Sequence, residues 1–113
     1  MDELIERYVN YLRYERNASP HTVRNYRSDL VQFRDYLAEG RATAAVDVRS
    51  VDALRIRGFL GILFERQEKK SSIARKLSAV RAFFKFLRRE GVLAENPSTL
   101  VSLPSRTRPS PGS

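Results

Sequence analysis

The chain contains no cysteine. Disulfides, thiolate metal sites and cysteine nucleophiles are therefore excluded. It contains one histidine, His21, so neither a His-rich zinc site nor a paired-histidine site can be built from this chain alone. No run of about 18 apolar residues occurs, so nothing in it reads as a membrane span. The acidic start, Met1-Asp2-Glu3, lacks an apolar signal core, and a cytoplasmic protein is expected. There is no Gly-rich phosphate loop, no His-Glu-x-x-His and no Cys-x-x-Cys. The adjacent acids are poor acid–base candidates: Asp2 and Glu3 are terminal, and Glu65 and Glu68 read as solvated helix surface. No catalytic residue, metal or cofactor is expected.

What is present is positive charge in one place. The chain has 113 residues, 42% hydrophobic and 30% charged, with a formal net charge of +8. That length fits one domain with a core of its own. Lys69, Lys70, Arg75, Lys76, Arg81, Lys85, Arg88 and Arg89 fall in a window without a single acid. The window therefore carries the net charge of the whole chain. Elsewhere bases and acids cancel. A concentrated basic stripe suits a polyanion, because neutralising phosphates releases condensed counterions. A solvated helix face that serves only solubility is the plainer alternative.

Four helices are legible, and no strand. The first is expected over about 2–16, with Leu4, Ile5, Tyr8 and Leu12 at helical spacing. The second opens with Ser19 as N-cap and Pro20 in the first turn. Val23, Tyr26, Leu30, Phe33 and Leu37 follow, and Gly40 is the expected stop. Its other face carries His21, Arg24, Asn25, Ser28 and Gln32. Asp52 caps a third helix over about 53–68, where Gly58 and Gly61 allow a neighbour to approach closely. The fourth is expected over about 72–90, capped by Ser71 or Ser72 and stopped by Gly91. Ile73, Leu77, Val80, Phe84 and Leu87 form its core stripe. Arg75, Ser78, Ala82, Lys85 and Arg89 form a polar stripe opposite, flanked by Arg81 and Arg88. Phe83 and Phe86 fit neither and widen the apolar surface for a further segment or a partner. Tyr8, Tyr11, Tyr26 and Tyr36 read as core or half-buried residues with a polar tip. Asn96-Pro97 starts a short helical turn to Val101. Four of five prolines lie in the last 17 residues, and after Leu103-Pro104 the chain reads as a linker or tail.

Two of these helices begin with serine caps and keep one face free of apolar groups. N–H groups at a helix start attract phosphate oxygens. Arg and Lys further along reach phosphates or guanine edges in a major groove. The residues alone thus point to an all-α DNA-binding module.

Two stretches resemble a known family. Ser19-Pro20-His21-Thr22-Val23-Arg24-Asn25-Tyr26-Arg27-Ser28-Asp29-Leu30 is similar to the L-S-x-x-T-x-x-x-Y-x-x-D-L opening of the core-binding domain of tyrosine recombinases, with Ala18 in place of the usual Leu. Ile73 to Leu87 resembles that domain's R-x-L-S-A-[LV]-R-x-F-F-x-[FW]-L helix. Asn96-Pro97 and Leu103-Pro104 resemble its exit. The Xer branch, with its XerC-like members, is nearest. The likeness covers residues 1–105.

The resemblance implies a SAM-like, four-helix orthogonal bundle over 1–104, followed by a linker over 105–113. It implies an N-terminal half-clamp on double-stranded DNA, completed by a C-terminal catalytic domain absent from this chain. It also implies sister or partner recombinase subunits at the recombination site, and a bacterial, nucleoid-associated setting. This chain is then no enzyme by itself. Ser19 and Thr22 match the motif's phosphate-holding helix start, and Tyr26 its tyrosine. Arg75, Ser78 and Arg81 match the positions that face DNA. Lys85 and Arg89 continue that face, and Arg24 joins the DNA-binding set from the second helix. Lys76 matches the motif but points away from the stripe. Truncating Arg75 or Arg81 is expected to weaken duplex binding with little effect on folding. Two alternatives remain open: a helical interaction domain whose basic face binds an acidic protein, and a homeodomain-like transcription factor.

Overall fold

The computed structural model describes residues 1–38 and 46–101. These residues form four α-helices and no strand: α1 Asp2–Tyr14, α2 Pro20–Leu37, α3 Ala53–Glu65 and α4 Lys70–Arg89. Short 3-10 turns at Val48–Ser50 and Pro97–Leu100 precede α3 and follow α4. The expected stop at Gly40 and the expected linker lie outside the described residues. No helix is long and apolar enough to cross a membrane among the described residues.

The helix ends follow local chemistry. Asp2 and Glu3 sit in the first turn of α1, where carboxylates favour the positive end of the dipole. Ser19 caps α2, its Oγ accepting from the Thr22 N–H at 3.2 Å. Asp52 caps α3 through the Arg55 N–H at 2.9 Å. At the other end, Gly91 has φ +83°. The Val92 N–H returns to the Leu87 carbonyl, and the Gly91 N–H to that of Arg88. This is the glycine-terminated end expected of α4.

Three expected boundaries were displaced. α1 ends at Tyr14, two residues short of Arg16. α3 stops at Glu65 instead of Glu68, because Gln67 takes the left-handed conformation (φ 59°) and closes the same double return, Glu68 to Leu63 and Gln67 to Phe64. Glutamine carries no sequence signal for that role. α4 starts at Lys70, two residues early, and no side chain caps it. Neither Ser71 nor Ser72 is its cap; both lie inside the first turn.

The core is built around α4. Ile73, Leu77, Val80, Phe84 and Leu87 are buried as their spacing requires, but so are Ala79, Phe83 and Phe86. The extra apolar surface of Phe83 and Phe86 is covered by α1 of the same chain. Tyr8 meets Phe83 at 5.8 Å and Phe86 at 5.3 Å between ring centroids, and Tyr11 meets Phe86 at 5.0 Å. Phe33 of α2 stands edge-on to Phe84 and to Phe59 of α3. Tyr36 donates to the Arg55 carbonyl at 2.9 Å because Gly58 leaves room: a Cβ there would lie 2.5 Å from the Tyr36 hydroxyl. Of the two α3 glycines, only Gly58 serves the close approach, since nothing lies within 4 Å of a Cβ on Gly61.

Gly61→Ala should therefore stabilise the protein by about 0.5–1 kcal/mol, and Gly58→Ala should destabilise it. Urea midpoints at unchanged m-value report both. Burial also raises the Tyr8 phenol well above its ordinary value of 10. The unfolded chain then loses that proton first, so the Tyr8 contribution to stability is level below pH 10 and falls as pH rises above it. Tyr8→Phe should flatten this decline between about pH 10 and 11 in denaturant titrations; a decline of unchanged steepness would refute the assignment.

Candidate nucleic-acid interface

With α1, α2 and α3 packed around α4, one strip of that helix meets solvent. Ser71, Arg75, Ser78, Lys85 and Arg89 are exposed along it, with Ala82 partly so, and Arg81 and Arg88 flank it. The steps of three and four hold them on one side. No acid lies anywhere on α4.

The side chains of this strip differ in how they are held. Arg75 grips Asp29 of α2 with two bonds, Nε to Oδ2 and Nη2 to Oδ1, each 3.0 Å. Asp29 is 2% exposed, while the Arg75 side chain stays 45% exposed. Hydrogen bonding to Asp29 holds the Arg75 guanidinium above its ordinary value. Arg81 donates to the Val101 carbonyl and so ties the segment after α4 to the helix. Arg89 lies over the Tyr11 ring, 5.2 Å from its centroid, and donates to the Tyr11 hydroxyl at 3.0 Å. Lys85 and Arg88 have no ion pair or hydrogen bond among the described residues. Lys76 is buried at 9% exposure and bound to Glu68 at 2.5 Å, so it is turned away from the strip as its helical angle requires. Glu68 is thus no solvated surface acid.

α2 meets this surface through Tyr26 and Asp29. Ser19, Thr22, Tyr26 and Asp29 lie on one side of α2 at about 100° per residue, and Asp29 ties that side to α4. Tyr26 is half-buried and lines a groove of about 490 Å³ with Tyr11, Arg16, Ala82, Lys85 and Arg89. A second groove, about 650 Å³, lies beside it along Lys85, Arg88, Arg89, Glu95, Asn96 and Thr99. Arg24 is exposed but two residues from Tyr26, roughly 200° around the helix, so the fold does not bring it to this surface. His21 is exposed as well. No cluster of potential metal ligands exists among the described residues.

Three residues escaped the sequence reading. Tyr11 lies in the last turn of α1 and Arg16 just beyond its end, and no local pattern relates either to α4. Asp29 was readable in principle. It sits three residues after Tyr26 and four before Phe33, on the core-facing side, where a carboxylate requires a partner.

The bundle, the serine-capped α2 and the acid-free strip of α4 define a class. The chain belongs to the phage integrase N-terminal SAM-like domain family, whose profile matches residues 5–91. It is 45% identical over 108 residues to the tyrosine recombinase XerC of Syntrophus aciditrophicus, covering 92% of this chain and 35% of that protein. It is 40% identical over 108 residues to the tyrosine recombinase XerC of Oceanobacillus iheyensis, covering 96% and 34%. With the tyrosine recombinase XerC of Pseudomonas syringae pv. syringae the identity is 35%, covering 96% and 35%. The chain thus spans about a third of the length of these relatives. No solved structure matches it.

The geometry argues against the expectation that truncating Arg75 or Arg81 has little effect on folding. Removing the Arg75 guanidinium strands a buried carboxylate. Its half-exposed partner leaves water a route in, so Arg75→Ala should cost about 1–3 kcal/mol of stability. Arg81→Ala removes the tie to Val101. Lys85→Ala, which breaks no ion pair or hydrogen bond among the described residues, should stay within about 0.5 kcal/mol. Thermal or urea unfolding of the variants measures the difference.

Proposed function

We propose that this chain is the duplex-binding domain of a tyrosine site-specific recombinase of the Xer type. The observation that carries the reading is the acid-free exposed strip of α4, adjoined by the capped start of α2. Lys69, Lys70, Arg81, Lys85, Arg88 and Arg89 offer six cations with no carboxylate against them among the described residues, and Ser19, Thr22, Tyr26 and Ser78 add hydroxyls on the same surface. An α-helix presenting such a strip fits a B-DNA major groove. Cations at its rim reach phosphates and set position and register. Arg24 lies outside this surface and is left out of the proposed contacts.

The family supports the rest of the reading. Relatives named tyrosine recombinase XerC are about three times as long, and we assign strand cleavage and exchange to a catalytic domain of the parent protein, with this domain as its N-terminal half-clamp. Residues 1–104 would be the folded unit and 105–113 the link onward. Partner recombinase subunits would occupy the neighbouring half-sites. The setting would be the bacterial cytoplasm at the nucleoid, and the task recombination of the kind that resolves chromosomes before cell division.

Salt dependence tests the proposal. If all six of these cations neutralise phosphates, affinity for duplex DNA should fall by roughly 10³-fold between 50 and 200 mM salt. Lys85→Ala should lower the slope of log affinity against log salt by about 0.9 without loss of fold. Salt-insensitive binding, or capture of acidic protein in preference to duplex, would overturn it.

A further inference from the structure

Arg75 is the one cation of the α4 strip whose charge is already answered. Asp29 is the only buried acid among the described residues, and it takes two of the five guanidinium donors, Nε–H and one N–H of Nη2. Nη1 with both hydrogens, and the second hydrogen of Nη2, form the outer edge. That edge belongs to a side chain 45% exposed whose orientation is fixed by a fork against a buried carboxylate.

Two consequences follow from charge and shape. The pair is net neutral, so contact between Arg75 and a phosphate releases few counterions, in contrast to Lys85 and Arg88. Its outer edge instead carries two parallel donors, which suit two aligned acceptors. A guanine presents N7 and O6 in that arrangement in the major groove. We infer that Asp29 is a positioning residue, and that it holds Arg75 as a neutralised, directional reader of a guanine edge while the free cations of α4 hold phosphates. The inference rests on the duplex-binding reading above and assigns sequence selectivity within it.

The test uses the 113-residue chain and a pool of duplexes with randomised centres, selected at low salt. Asp29→Asn combined with Arg75→Gln replaces the ion pair by two neutral amides, which keeps the fold from bearing a lone buried charge. This double variant should keep the salt slope of the parent. It should lose a preference for one G·C pair that the parent shows, a loss of roughly 5- to 150-fold in selectivity. Arg75→Lys, which keeps both the charge and a partner for Asp29, should lose the same preference. Lys85→Ala should retain the preference and reduce the slope by about 0.9. The inference fails if the double variant lowers the slope as much as Lys85→Ala does, since Arg75 is then an ordinary phosphate cation. It also fails if the parent binds duplex but selects no guanine, or if Arg75→Lys selects it unchanged; the duplex-binding reading survives each of these. A parent chain that binds no duplex at any salt overturns both.

Discussion

Phe83 and Phe84 are consecutive residues of one helix, so their side chains diverge by about 100°, yet both are fully buried. That demand shapes the molecule. Phe84 packs against Phe33 of α2, and Phe83 against Tyr8 of α1. A helix with two buried flanks has only one strip left for water. On α4 that strip holds arginine, lysine, serine and a single alanine, and no acid. The functional surface is thus what remains after the aromatic packing is satisfied.

The same packing changes what the charge means. Eight cations fall between Lys69 and Arg89, but Arg75 faces Asp29 and Lys76 faces Glu68. Six remain without a carboxylate opposite among the described residues. The remaining arginines are not equivalent either. Arg89 is stacked on Tyr11 and Arg81 is tied to a backbone carbonyl, so both have restricted orientation, while Lys85 and Arg88 project as free charges. Ordered arginines suit directional contacts; free cations suit a phosphate backbone.

Much of the fold was legible because its signals are local. The Ser19-Pro20 start, the Asp52 cap and the Gly91 stop each act within one turn of helix. The spacing of Ile73, Leu77, Val80, Phe84 and Leu87 predicted a buried face that the structure contains. The errors were also local in origin. Gln67 adopts a conformation that its side chain does not advertise, and Lys69 precedes a helix without a capping bond. The interface was half legible. Periodicity placed Arg75, Ser78, Lys85 and Arg89 on one side of α4. It carried no information on which of them another helix would engage.

The sequence by itself determined the helices, the sign and location of the charge, and the family, because these depend on composition, on spacing and on motifs within single segments. Only the tertiary structure decided that Phe83 and Phe86 would be covered by α1 of the same chain. It alone brought Asp29 under Arg75, 46 residues away, and Tyr11 under Arg89, 78 residues away. Such pairings depend on how helices cross, and no pattern along one helix records the partner that another supplies.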